Sequence, residues 1–172
     1  MPRIGLLSDS HGRAKTTRLA VEVLLSQEVD LLVHLGDVGT VEVIDALAGE
    51  ISQRSGQPIE AHLVFGNTDW DTDALARYAR ELGVHVDDPV GRLPVEQGTL
   101  VFCHGHQADV LHQAIAEQVR YLCHGHTHRT LDQRQGSTRV INPGALFRAQ
   151  RYTVAVLDTA DDELTFYPVG GS

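Results

Sequence analysis

With 172 residues, 42% of them apolar and 22% charged, the chain has the composition of one globular domain spanning 1–172, long enough to bury about two thirds of its unfolded surface. No stretch approaches the roughly 20 apolar residues of a membrane span, and the net charge of −9 excludes a broad surface for duplex nucleic acid, which needs concentrated Lys and Arg. Small anionic ligands stay open, because a metal supplies positive charge locally.

The opening "MPRIGLLSDSHG" lacks the long apolar core and cleavage site of a signal peptide, which predicts a cytoplasmic protein. "RIGLLSD" (3–9) and "DLLVHLGD" (30–37) are continuous apolar runs suited to strands covered on both faces, and "TTRLAVEVLLSQE" (16–28) between them has helical spacing. A short helix over 40–49, a third buried strand over 59–67 and a helix over 71–83, capped by Asp71 and ended by Gly83, complete an α/β first half. The rest reads as antiparallel: a hairpin turning at Gln97-Gly98, a helix over 107–118, a strand at 119–125, and hairpins turning near Gly136 and Asp161-Asp162. Cys103 and Cys123 end apolar runs and are expected as buried thiols in a reducing compartment.

Five of the ten histidines fall in two short segments, "CHGH" (103–106) and "LCHGHTH" (122–128). These belong to a wider pattern in which predicted strands end in potential metal ligands: "SDSHG" (8–12), "LGD" (35–37), "FGNTD" (65–69), "CHGH" and "GHTH" (125–128). Loops beyond the carboxyl ends of strands line one edge of an α/β sheet, so ligands far apart in sequence can converge there. Residues two apart in an extended segment share a side, which predicts Asp9 with His11, and His126 with His128, as two pincers each gripping an ion. A carboxylate can bridge two cations, making Asp37 the natural residue between them, with Asn67 and His104 completing the shells. Any one of these motifs is more simply a strand-end turn; their joint placement points to two metals. His34, His62, His85 and His112 are read as core, capping or solvent residues, and His124 is left between core and site.

These motifs resemble the calcineurin-like metallophosphoesterase superfamily, whose pattern is D-x-H, G-D, G-N-H-D/E, H-G and G-H-x-H. "INPGALFR" (141–148) resembles the small bacterial and archaeal phosphodiesterase branch. The resemblance implies a four-layer αββα sandwich, two mixed β-sheets flanked by helices, with the active site at the sheet edges. It implies two divalent cations, manganese first and Fe, Ni, Co or Zn as alternatives. Asp9, His11, Asp37 and His128 would hold one, and Asp37, Asn67, His104 and His126 the other. Asp37, Asn67 and His104 would carry the catalysis, and hydroxide formed from a water bridging the cations would attack in line. Thr68 stands where the family has its candidate proton-donating histidine; Thr68, Asp69 and His106 are expected around the substrate or behind the ligands as supporting groups.

The reading that results is a hydrolase of small phosphodiesters, with no membrane partner and homo-oligomers plausible. A competing reading is a metal-binding interaction scaffold like the retromer subunit of the same fold. A structural zinc protein using Cys103 and Cys123 is disfavoured because Cys-x-x-Cys pairs are absent. Specificity is expected in loops 52–58 and 84–94.

Overall fold

The computed structural model describes residues 2–170, leaving the outermost positions of the expected 1–172 domain outside the description. Eleven strands and four helices follow in the order β1 (Arg3–Leu7), α1 (Ala14–Ser26), β2 (Leu31–His34), α2 (Val41–Leu47), β3 (Glu60–Leu63), α3 (Thr72–Glu81), β4 (His85–Val86), β5 (Val90–Val95), β6 (Gly98–Cys103), α4 (Ala108–Ala116), β7 (Tyr121–Cys123), β8 (Thr130–Gln135), β9 (Thr138–Pro143), β10 (Thr153–Asp158) and β11 (Glu163–Pro168). They form a six-stranded sheet, β11-β10-β1-β2-β3-β4, and a five-stranded sheet, β5-β6-β7-β9-β8.

Period-two alternation of the apolar strands builds the layers. Ile4 and Leu6 of β1, Val33 of β2, Leu100 and Phe102 of β6, Tyr121 and Cys123 of β7 and Ile141 of β9 share one buried cluster, the seam between the sheets. The opposite face of the first sheet, with Leu32, Ala61 and Val156, packs on Val21 and Leu24 of α1, Ile44 and Leu47 of α2 and Leu75 and Ala79 of α3. Val101, Cys103, Leu122 and Val140 on the outer face of the second sheet meet Ala114 of α4. Three apolar seams between four layers give the αββα sandwich that the family resemblance implied. Each wholly buried aromatic or aliphatic side chain in these seams contributes about 1.5–3 kcal/mol.

The two cysteines end up in different seams, Cys123 between the sheets and Cys103 under α4. Both are free thiols, and burial pushes Cys103 up to about 12, so neither is a ready thiolate ligand.

Asp71 caps α3 as expected, its carboxylate accepting from the Ala74 N–H at 3.3 Å. The first hairpin turns one residue earlier than predicted, between Val95 and Gly98, with Gln97 carrying the left-handed backbone at φ +62°. The second half is not antiparallel throughout, for β7 runs parallel to both β6 and β9. The α4 crossover and the excursion through β8 reverse the chain between these strands, and hydrophobic alternation carries no information about that direction. A two-residue edge strand, β4, also pairs in parallel with β3 where helix-end residues were expected. It stacks His85 on His62 at 4.6 Å between ring centroids.

Candidate active site

The loops following β1, β2, β3, β6 and β7 meet at one end of the two sheets. Backbone hydrogen bonds tie them together: Asp9 N–H to Gly36 O at 3.0 Å, His11 N–H to Asp37 O at 2.8 Å, and Gly125 N–H to His104 O at 2.9 Å. Asp9 and Asp37 are almost wholly buried there, at 0% and 2% exposure. Asp9 Oδ1 lies 3.2 Å from His128 Nε2 and 3.9 Å from His11 Nε2. Asp37 Oδ2 lies 3.3 Å from both His11 Nε2 and His104 Nε2. Two groups therefore have donor atoms within 4.8 Å of one another, Asp9-His11-His128 and Asp9-Asp37-His104, and each is able to hold a cation.

Asn67 joins the second group through Oδ1, 3.1 Å from His104 Nε2, and the His126 ring lies 5.2 Å from that of His104. All seven residues expected as ligands are thus brought together. The order differs in detail: Asp9 is common to both groups, while Asp37 spans the same gap through a single oxygen.

Convergence does not come from extended alternation. β1 ends at Leu7 and β7 at Cys123, before the ligands begin. Asp9, His11, Asp37, His126 and His128 all adopt left-handed backbone, with φ between +45° and +69°. Non-glycine residues enter that region at a cost of roughly 1–3 kcal/mol each, and such strain persists only where the surrounding structure imposes it. The turns split the expected His126-His128 pincer: His128 faces Asp9, and His126 lies beside His104.

Several groups hold the ligands in place. Asp9 Oδ2 accepts from Ser8 Oγ at 2.6 Å and from the His126 N–H at 3.1 Å, which leaves Oδ1 aimed at the histidines. The His104 Nδ1–H donates to Leu35 O at 2.7 Å, and His128 Nδ1 makes a longer contact of the same kind, 3.4 Å, with Arg148 O. A histidine whose Nδ1–H is spent on a carbonyl turns Nε2 toward the ligand cluster, and a cation there would take the place of the Nε2 proton that His104 shares with Asp37. Asn142 of the N-P-G turn donates to Gly125 O at 2.8 Å and to Thr127 Oγ1 at 3.1 Å, which braces the loop carrying His126 and His128.

Asp69, expected around the substrate or behind the ligands, accepts three backbone N–H bonds, from Val38 at 3.1 Å, Gly39 at 2.8 Å and Gly66 at 2.8 Å. It ties the loop after β2 to the loop after β3 and is a positioning residue. Burial, only partly offset by these bonds, pushes its carboxyl upward. Thr68 is exposed, and its N–H donates to Asp37 Oδ1 at 3.0 Å. His106 is exposed beside His104 and His126, 5.4 Å and 6.2 Å away between ring centroids.

His34 is a completely buried core residue with both nitrogens engaged, Nε2 with Ser10 Oγ at 2.8 Å and Nδ1 accepting from the Gly36 N–H at 3.2 Å. Burial lowers it to about 3, so it stays neutral. His124 is also buried, with Nδ1 3.0 Å from Gly125 O. Phe147 was missed by the sequence reading. Its ring packs 4.8 Å from that of His11 and carries Arg13 on it at 4.6 Å, a contact between residues distant in sequence that no local motif signals.

Burial pushes the Asp37 carboxyl up, but hydrogen bonds with His104 and Thr68 outweigh this and hold it well below the usual carboxylate range. His11 is lowered, chiefly by burial. Among the described residues, four buried side-chain polar atoms lack a hydrogen-bond partner, Arg3 Nε, His62 Nε2, Asp9 Oδ1 and His11 Nε2, and the last two lie together in the site, 3.9 Å apart. Unpaired polar atoms of this kind cost about 1–3 kcal/mol each, and a divalent cation among oxygen and imidazole ligands removes that cost.

The family model for the calcineurin-like phosphoesterase superfamily domain matches residues 2–162. The chain belongs to this superfamily. It is 25% identical over 168 residues to a phosphodiesterase of Methanocaldococcus jannaschii, a match covering 94% of this chain and 95% of that protein. An archaeal phosphodiesterase structure superposes with a TM-score of 0.83 at 23% identity, covering 97% of this chain and 99% of the other. Zinc-complexed Vps29 of Entamoeba histolytica superposes with a TM-score of 0.62 at 18% identity, covering 99% and 94%. Superfamily, fold and membership of a phosphoesterase enzyme class thus agree with the expectations drawn from the motifs, and the family implies divalent metal ions. Among the described residues no helix is long and apolar enough to cross a membrane.

Proposed function

We propose that this phosphoesterase hydrolyses small phosphodiesters in the cytoplasm as one domain over 1–172, using two divalent cations, with manganese the first choice and Fe, Ni, Co or Zn as alternatives. The observation that carries the reading is the buried, unpartnered pair Asp9 Oδ1 and His11 Nε2 within a set of only nitrogen and oxygen donors. Asp9, His11, Asp37 and His128 would hold one cation, and Asp37, Asn67, His104 and His126 the other. Bound there, the cations lower the pKa of a water and offset charge on the phosphoryl oxygens, the chemistry of in-line hydrolysis.

The chain supplies the rest. The Nδ1 contacts of His104 and His128 turn Nε2 toward the place a cation would take, and Asp69 fixes the two loops that present Asp37 and Asn67. His106 and Thr68 are exposed and would meet the phosphoryl group and the departing alcohol. The likeness to the M. jannaschii phosphodiesterase supports the diester preference. Vps29 keeps the scaffold reading in view, and the complete set of seven candidate ligands favours catalysis over it.

The test is metal-reconstituted turnover of aryl diesters together with metal analysis. Two ions per chain and turnover of a nitrophenyl diester are expected; a fully loaded chain without turnover would leave the scaffold reading standing. His126→Ala and His128→Ala should each reduce metal content and lower activity at least roughly tenfold. His85→Ala, whose ring stacks on His62 at the sheet edge, should change neither appreciably. Equal losses from all three folded variants would show the ligand assignment to be wrong.

Thr68 offers no good proton donor, so activated aryl diesters should be the best substrates. Thr68→His should raise kcat/KM for an alkyl diester relative to a matched aryl one. Asp69 already accepts three backbone N–H groups, and the acceptor position left on Oδ1 would orient the new imidazole, so the gain should lie toward the lower end of the roughly 10²–10⁴-fold that a positioned general acid supplies. An unchanged ratio in the metal-loaded variant would remove Thr68 from the leaving-group step.

A further inference from the structure

A cleft of about 700 Å³ opens beside His128, between the loop carrying the last candidate ligands and the segment that follows the N-P-G turn. Its lining includes Arg129, Arg148, Arg151, Gln150 and Thr127, and no carboxylate. In a chain of net charge −9 with only 14 Lys and Arg residues, three guanidinium groups around one cleft form a local reversal of charge. Several other arginines sit in ion pairs: Arg120, Arg134 and Arg139 all reach Asp162, and Arg92 reaches Glu117. Among the described residues, Arg129, Arg148 and Arg151 make no such ion pair.

The cleft is joined to the candidate metal site. His128 lines it, and the same ring places Nε2 3.2 Å from Asp9 Oδ1. The Arg148 guanidinium lies over Phe147 at 5.1 Å, and the Phe147 ring packs 4.8 Å from that of His11. Arg148 also holds left-handed backbone at φ +46°, with its carbonyl 3.4 Å from His128 Nδ1.

From this arrangement we infer that the cleft is a substrate subsite for a second anionic group, so that the preferred substrate is a small phosphodiester bearing a remote phosphate. The inference rests on the phosphodiesterase reading for the reacting bond and adds the substrate class. Arginine suits the task because its planar fork donates in parallel to two phosphate oxygens. The volume lies within the 300–1,000 Å³ or so typical of small-ligand sites.

Two nitrophenyl diesters with the same leaving group test it, one with an uncharged alkyl tail and one whose tail ends in a phosphonate. The parent enzyme should prefer the phosphonate-bearing diester. In the double variant Arg129→Gln/Arg151→Gln, which leaves the Phe147-packed Arg148 in place, the ratio of the two kcat/KM values should fall roughly 10–100-fold. An unchanged ratio overturns the proposal. Calorimetric titration of the full, chelator-treated chain with propane-1,3-diphosphonate provides a readout independent of turnover. The parent should bind the probe at least roughly tenfold more tightly than the double variant, an advantage that shrinks with added salt. Equal affinities, or selective binding of a single-stranded oligonucleotide in place of the diphosphonate, would overturn the subsite. If neither diester is cleaved by the metal-loaded parent, the phosphodiesterase reading fails, while the titration still decides whether the cleft binds anions.

Discussion

Asp37→Asn should lower diesterase activity by at least roughly 10²-fold and reduce the binding of both cations, the largest functional loss expected from a single isosteric change. The reason lies in how the carboxylate is shared. Oδ1 accepts the Thr68 N–H at 3.0 Å, and Oδ2 stands 3.3 Å from both His11 Nε2 and His104 Nε2. An amide matches only one of these environments. With its oxygen toward Thr68, its NH₂ group points at the imidazole nitrogens where a cation should lie; reversed, it sets N–H against N–H. Metal analysis should therefore show both occupancies reduced, and circular dichroism should show the fold retained. A folded, fully loaded variant that turns over an aryl diester at the parent's rate would rule out Asp37 as the shared ligand.

Gly66→Ala should do nearly as much damage without removing any ligand. A Cβ at position 66 would lie 2.0 Å from Asp37 Oδ1 and 2.5 Å from Asp37 N, distances that require the loop after β2 to move. The Gly66 N–H also donates to Asp69 Oδ2 at 2.8 Å, so the displacement would strain the link between the two loops. Misplacing a catalytic group by about 1 Å costs on the order of 10²-fold in rate, and overpacking at such a site adds about 1–3 kcal/mol of destabilisation. The expected signature is a loss in kcat together with weaker metal binding and a lower melting temperature. Parent-like activity and melting would show that the loop absorbs the methyl group. The glycine of the G-N motif thus has a steric role, keeping the backbone clear for Asp37.

The layered α/β architecture could be read from the chain because strand and helix periodicities differ and each seam buries every second strand residue. The candidate ligands could also be found there, since Asp, Asn and His recur at strand ends, where an α/β sheet gathers its loops. The family pattern even assigned His126 and His128 to different groups, against the simple alternation argument.

Other features depended on three-dimensional approach. Left-handed backbone at Asp9, His11, Asp37, His126 and His128 is disfavoured locally and persists only because neighbouring loops hydrogen-bond the turns into place. Asp69 was named from the family pattern, but the three N–H groups it accepts come from two loops that no local motif pairs. Strand direction in the second sheet, the packing of Phe147 against His11 and the gathering of Arg129, Arg148 and Arg151 around one cleft are likewise long-range outcomes. Composition and periodicity determined the strands, the helices and the kinds of ligand, because burial and local spacing act along the chain, while the four-layer arrangement was implied by the family resemblance. Tertiary structure decided which atoms face each other, because those distances are set by how separate loops pack at the sheet edge.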